Sequence, residues 1–183
     1  MPRWLALLLG VGVLLAGAIA IVLAFSARDA PEVSAVPGPG EAFADLCVAH
    51  EDPPADFAYN SRPPTSGPHQ PDLVERDGGR LTDDQLLHAL ELGNVVVAYG
   101  GRRPPAASRT LQEQVAGPFD AELAAAGQAI ILARRDDVDG IVALAWTHRL
   151  QADGPDDPTL AEFAEHWLGR GAGATGVPCP ASG

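Results

Sequence analysis

The sequence predicts an α/β (or α+β) domain: a small mixed sheet of three or more strands with helices packed on it. A Pro/Gly-rich irregular wrap precedes the sheet, and an N-terminal transmembrane helix precedes the wrap. Three observations carry this. Val95-Val96-Val97 is an apolar run between two helical patterns, as in a central strand. Leu160, Phe163, Ala164, Trp167 and Leu168 follow the i, i+3, i+4, i+7, i+8 spacing of an amphipathic helix. Two apolar runs, Ala129 to Ala133 and Ile141 to His148, flank the turn sequence Asp136-Asp137-Val138-Asp139-Gly140 and read as a hairpin.

In chain order, the first element is the anchor. Trp4 to Phe25 is 22 residues without a charge. At 1.5 Å per residue it spans about 33 Å, close to a hydrocarbon core of roughly 30 Å. It has no polar face, and aromatic rings mark both ends. A rival reading is a cleaved signal peptide, with Ala24-Phe25-Ser26 as a small-x-small site and the cut at Ser26/Ala27; the apolar run is longer than a signal core of roughly 7–15 residues. Either way the domain is expected to be extracytoplasmic. With the anchor retained, the protein is single-pass in the cell membrane with its N-terminus cytoplasmic.

Residues 26–44 read as a linker, since Pro31, Pro37 and Pro39 block helix and nothing there builds a core. Residues 45–180 are the expected extracytoplasmic domain. Its two cysteines, Cys47 and Cys179, open and nearly close it. In an oxidising compartment they read as a disulfide, worth about 5 kcal/mol in the loop-entropy picture.

Residues 51–80 are rich in Pro, Gly, Asp and Asn and form the wrap, with Pro63-Pro64 forcing Arg62 and Pro63 toward extended conformations. The first helix of the domain begins at Thr82, a capping-box partner of Gln85, and stops at Gly93. Leu86, Leu87, Ala89 and Leu90 share one side of it; Asp84, His88 and Glu91 share the other. A strand follows from Asn94 to Tyr99. A second helix is expected after Thr110, paired with Glu113 as another capping box and interrupted at Gly117-Pro118. Helix resumes from Phe119 to Ala126 and ends at Gly127. The last helix has Asp157 as its cap, Pro158 at its first position and Gly169 as its stop.

Composition excludes one class of partner. The formal net charge is -12, and the basic pairs Arg102-Arg103 and Arg134-Arg135 sit in an acidic background, so no nucleic acid is expected. The partners expected are the membrane, through the N-terminal helix, and an envelope protein.

Candidate chemistry centres on histidine, the commonest transition-metal ligand. His88 and Glu91 are three apart on a helix and can point into one site. His69 closes the rigid loop Pro63-Pro64-Thr65-Ser66-Gly67-Pro68-His69. A transition-metal site of His69, His88 and Glu91, with His50, is one reading. The other is that Asp84, His88 and Glu91 form a solvated helix face while His69 satisfies a turn. His148 lies on the strand face of Val142, Leu144 and Trp146 and reads as a packed histidine; His166 reads as exposed. Ser61, Thr65 and Ser66 are hydroxyls in turn sequence, and a hydrolase pairing Ser66 with His88 lacks a nucleophile elbow. The G-x-G-x-x-G at Gly171–Gly176 follows a helix rather than a strand and reads as a flexible tail.

Two segments carry a resemblance: Tyr59-Asn60-Ser61-Arg62-Pro63-Pro64-Thr65-Ser66-Gly67-Pro68-His69, and His88-Ala89-Leu90-Glu91-Leu92-Gly93 followed by Val95-Val96. With His50, Ala145-Trp146, Phe163 and His166, they resemble the domain-of-unknown-function family 3105, over most of residues 48–170. The resemblance implies the same plan of one N-terminal membrane helix, a linker and a domain outside. The family's second segment usually reads His-x-Leu-Glu-His-Gly, and this chain has Leu92 at the second histidine. The expected function is a non-enzymatic cell-envelope binding module. A metal-binding domain using His69, His88 and Glu91 is the alternative, and a hydrolase the second alternative.

Overall fold

The computed structural model of the protein describes residues 37–174. The expected anchor, most of the expected linker and Cys179 lie outside them. Among the described residues no helix is long and apolar enough to cross a membrane, and there is no free cysteine.

Five strands form one mixed sheet: β1 (Glu41–Ala42), β2 (Val95–Tyr99), β3 (Ile130–Arg134), β4 (Ile141–Ala145) and β5 (His148–Ala152), in the order β1-β5-β4-β2-β3. Four α-helices cover it: α1 (Asp83–Leu92), α2 (Ala106–Val115), α3 (Ala121–Ala125) and α4 (Thr159–Trp167). The mixed α/β class is as expected. Every residue of β2 is buried, because β2 lies inside the sheet and is covered on both faces. Val96, Ala98, Ile131, Ala133, Val142 and Leu144 face α1 and α3, whereas Val95, Val97, Ile130, Leu132 and Ala143 face α2 and α4. The alternation along each strand thus builds two cores, one on either side of the sheet.

The strand pairing corrects the expected hairpin. β3 pairs parallel with β2, and β4 pairs antiparallel with the other edge of β2, so β2 lies between the two runs that flank the Asp136–Gly140 turn. The true hairpin is β4–β5, with Ala145 opposite His148 across Trp146-Thr147. That turn carries no Gly, Pro, Asn or Asp. Thr147 instead takes a left-handed φ of 61°. The reversal also corrects His148: its ring stacks on Trp167 at 3.9 Å, on the face of the sheet opposite Val142 and Leu144. It is a packed, hydrogen-bonded histidine, with Nδ1 3.1 Å from the Trp146 carbonyl. His166 is half-buried against Trp167 rather than exposed.

Two further boundaries shift. The second helix begins at Ala106, not after Thr110; Thr110 sits inside it and its hydroxyl donates back to the Ala106 carbonyl, four residues earlier. Residues 37–44, expected as the end of a tether, pack on the domain. β1 adds an edge strand antiparallel to β5, and the Trp167 indole donates to the Pro39 carbonyl.

Helix α1 matches its sequence signals. Thr82 and Gln85 complete the capping box, and Gly93 takes the left-handed C-terminal position at φ 112°. Its C-terminal end is then fixed by buried Asn94. The Asn94 amide donates to the Ala89 and Ala124 carbonyls, and its Oδ1 accepts from Ala129 N–H. One side chain thereby ties α1, α3 and the start of β3 together. The last helix begins at Thr159, one residue later than expected, with Pro158 at its cap position and no side-chain cap from it; the Asp157 carboxylate accepts from Thr159 N–H at 2.9 Å.

Candidate metal centre

The wrap has no helix or named strand, but it is not loose. Pro63 to His69 are all buried, with the Arg62–Pro63 peptide cis. The Tyr59 hydroxyl donates to the Pro68 carbonyl at 2.7 Å, and the Tyr59 ring packs against Gly67. Gly67 holds φ 125°, and a Cβ there would lie 3.1 Å from that ring. The loop that ends in His69 is therefore a buried plug.

At the end of this plug His69 is fully buried. Its backbone N–H donates to the Ala49 carbonyl at 2.9 Å, which places His50 next to it. Its ring Nδ1 donates to the Gly67 carbonyl at 3.0 Å. A carbonyl can only accept, so Nδ1 carries a proton, and Nε2 is turned to the site. That outer hydrogen bond is the kind that fixes the tautomer and orientation of metal-ligating histidines.

Opposite the plug, α1 presents His88 and Glu91. Glu91 Oε2 lies 3.1 Å from His69 Nε2, 3.1 Å from His88 Nδ1 and 3.0 Å from His50 Nε2. One ligand atom from each of the four residues falls within 4.8 Å of every other. The three imidazole centroids are 5.5, 5.7 and 5.9 Å apart, a nearly equilateral triangle around one carboxylate oxygen. Three separate segments supply the four side chains: the stretch just before the wrap, the wrap's plug, and α1.

Burial is graded. His69 is closed off, His88 and Glu91 side chains are 12% and 18% exposed, and His50 is 46% exposed. Burial is the largest influence on the Glu91 carboxyl and raises its pKa. Hydrogen bonds from His50 and His88, with the charges of His50 and His69, outweigh it and leave the pKa below the ordinary value.

The expected solvated face of α1 is corrected in part. His88 and Glu91 turn into the site, while Asp84 caps the plug from outside by accepting from Gln70 N–H at 2.8 Å. Of the sequence candidates, His50, His69, His88 and Glu91 meet at one point. Leu90 is buried in the core and Gly93 ends α1. Ser66 is fully buried; its hydroxyl accepts from Leu46 N–H and donates to the Ala44 carbonyl. Ser61 and Thr65 pair hydroxyl to hydroxyl at 3.0 Å. Among the described residues no hydrogen bond joins these hydroxyls to His88. Leu92, where the resembled segment has its second histidine, lines a small recess with Leu73, Val74, Ala89 and Ala124. The four-residue cluster forms without it. A recess of about 760 Å³ is lined by residues 71–81 and Gln85 and by none of the four.

Sequence reasoning missed Asp45. Its carboxylate accepts from Cys47 N–H at 2.9 Å and from the Trp146 indole at 3.0 Å, anchoring the segment that leads to His50 on the β4–β5 turn. A lone Asp at the end of a proline-rich stretch carries no pattern that marks such a role.

The family model described as Protein of unknown function (DUF3105) matches residues 50–180, well over half of the chain, and covers all four clustered residues. No curated protein and no solved structure matches the chain.

Proposed function

The chain belongs to the DUF3105 family, and from the geometry of its cluster we propose that the domain binds one transition-metal ion through His50, His69, His88 and Glu91. The observation that supports this is the convergence of three imidazole nitrogens and one carboxylate oxygen from three chain segments onto a single point. A tetrahedral ion with bonds of about 2.0 Å has ligand–ligand edges of about 3.3 Å, and Glu91 Oε2 sits 3.0–3.1 Å from each of the three nitrogens. An ion taken up here draws charge balance from Glu91 and orientation from the Gly67 carbonyl behind His69. Imidazole and carboxylate donors suit zinc, copper, iron or nickel rather than calcium or magnesium.

The proposed setting is extracytoplasmic. It rests on the uncharged run from Trp4 to Phe25 and on two cysteines that bracket the domain. In this reading the N-terminal helix holds the domain on the outer side of the membrane, and Cys47 pairs with Cys179.

The test is elemental analysis of the full chain, purified in detergent, loaded with metal and desalted. Close to one equivalent of zinc or copper is expected, with a loss in His69→Ala and in Glu91→Gln. No bound zinc, copper or iron in the wild type would end the metal reading and leave an envelope interaction module at the same location.

A further inference from the structure

We infer that His50 is the exchangeable ligand of this site, and that the position it occupies is built to be taken by an external neutral nitrogen donor of the imidazole class. The inference rests on the metal-binding reading above and gives it a direction of exchange. Three of the four groups are fixed. His69 is fully buried and held from behind by the Gly67 carbonyl, and His88 and Glu91 are carried by a helix capped at both ends. His50 differs from all three. The difference is exposure: its side chain is 46% exposed, against 0% for His69 and 12% for His88, although its ring nitrogen lies as close to the Glu91 oxygens, at 3.0 and 3.2 Å. Structural metal sites are closed by four protein ligands, whereas sites that exchange or react keep one position open to an outside ligand. Here the fourth position has a ligand, but one that solvent and a second molecule can reach.

The surroundings select the kind of donor. Glu51 and Asp52 follow His50 directly and are exposed, and the chain carries a formal charge of -12. An anionic donor is drawn by the ion itself, but on the way in it passes Glu51 and Asp52 and settles beside the Glu91 carboxylate, where it meets like charge. A neutral nitrogen donor does not, and it reproduces the chemistry of the imidazole it replaces.

Cobalt(II) reports on this directly, because its visible absorption depends on the number and type of ligands. The full chain in detergent is titrated with cobalt(II) as wild type, His50→Ala, His69→Ala and Glu91→Gln. Wild type and His50→Ala are expected to take one equivalent. The His50→Ala affinity should fall by about tenfold, against more than about a hundredfold for the two fixed-ligand variants, beyond the roughly 10–100-fold that loss of an outer-shell partner costs. Imidazole added to cobalt-loaded His50→Ala should restore the wild-type spectrum, and azide at the same concentration should not. The inference is overturned if His50→Ala loses cobalt as completely as His69→Ala and Glu91→Gln, if imidazole leaves its spectrum unchanged, or if azide serves as well. Wild type that takes up no cobalt overturns the metal reading itself, a result distinguishable from the other three.

Discussion

At the scale of single residues, the site depends on atoms that never touch its centre. The Gly67 carbonyl decides which nitrogen of His69 faces Glu91, and Gly67 occupies a backbone conformation at φ 125° that a side chain rarely adopts. A Gly67→Ala change adds this strain and presses a methyl against the Tyr59 ring. We expect a loss of about 1–3 kcal/mol of stability in thermal or denaturant unfolding, together with weaker metal uptake. Stability unchanged from wild type would show that the plug tolerates another conformation. Residue types and spacing made part of this legible: His69, His88 and Glu91 stand out in the sequence because imidazole and carboxylate are metal donors and because positions three apart on a helix share a side. The convergence of His50 was less visible, since the contact runs through the Ala49 carbonyl and His69 N–H, a backbone pairing that leaves no mark on side-chain identity.

Among the elements, α1 matters most, because it delivers two of the four donors. Its start, stop and buried side were legible: capping box, C-terminal glycine and leucine spacing each act locally. Replacing Thr82 with Ala removes the hydroxyl that accepts from Gln85 N–H, and about 1 kcal/mol should be lost. Asn94→Ala is expected to cost more, since it strips partners from buried groups of α1, α3 and the segment entering β3, at about 1–3 kcal/mol for a buried group left unpaired. Chemical denaturation of both variants checks the order; a Thr82→Ala penalty exceeding that of Asn94→Ala would contradict it. The sheet was legible in content and not in pairing. Each apolar run was recognisable, but which runs pair depends on β2 entering between β3 and β4, a long-range choice. The β4–β5 turn was hidden because Trp146-Thr147 lacks the residues that ordinarily announce one.

For the whole molecule, charge joins the site helix to the far edge of the sheet. Arg135 is buried and its guanidinium donates to Asp137 at 2.8 and 2.9 Å and to Asp83, the first residue of α1, at 2.6 Å. The hydrogen bond from Arg135 is the main cause holding the Asp137 carboxyl below the usual carboxylate range. A carboxylate whose folded pKa is lowered stabilises the fold at pH above its unfolded value of about 3.9. That contribution is lost as pH falls through the folded value. Unfolding measured from pH 7 down toward pH 3 should therefore show falling stability in the wild type and a shallower fall in Asp137→Asn. Parallel pH profiles would contradict the pairing. The same scale holds the proposals on location: with the Trp4–Phe25 run deleted, the chain should leave the membrane fraction. Persistence there would mean that another surface of the domain binds the membrane.

The arrangement of three histidines around one glutamate is open to direct observation. Crystals of the zinc-loaded chain, with diffraction recorded on either side of the zinc absorption edge, locate the ion in an anomalous difference map. One strong peak is expected about 2 Å from His50, His69, His88 and Glu91 together. A map with no peak at these four residues, or with zinc bound only elsewhere on the acidic surface, would contradict it.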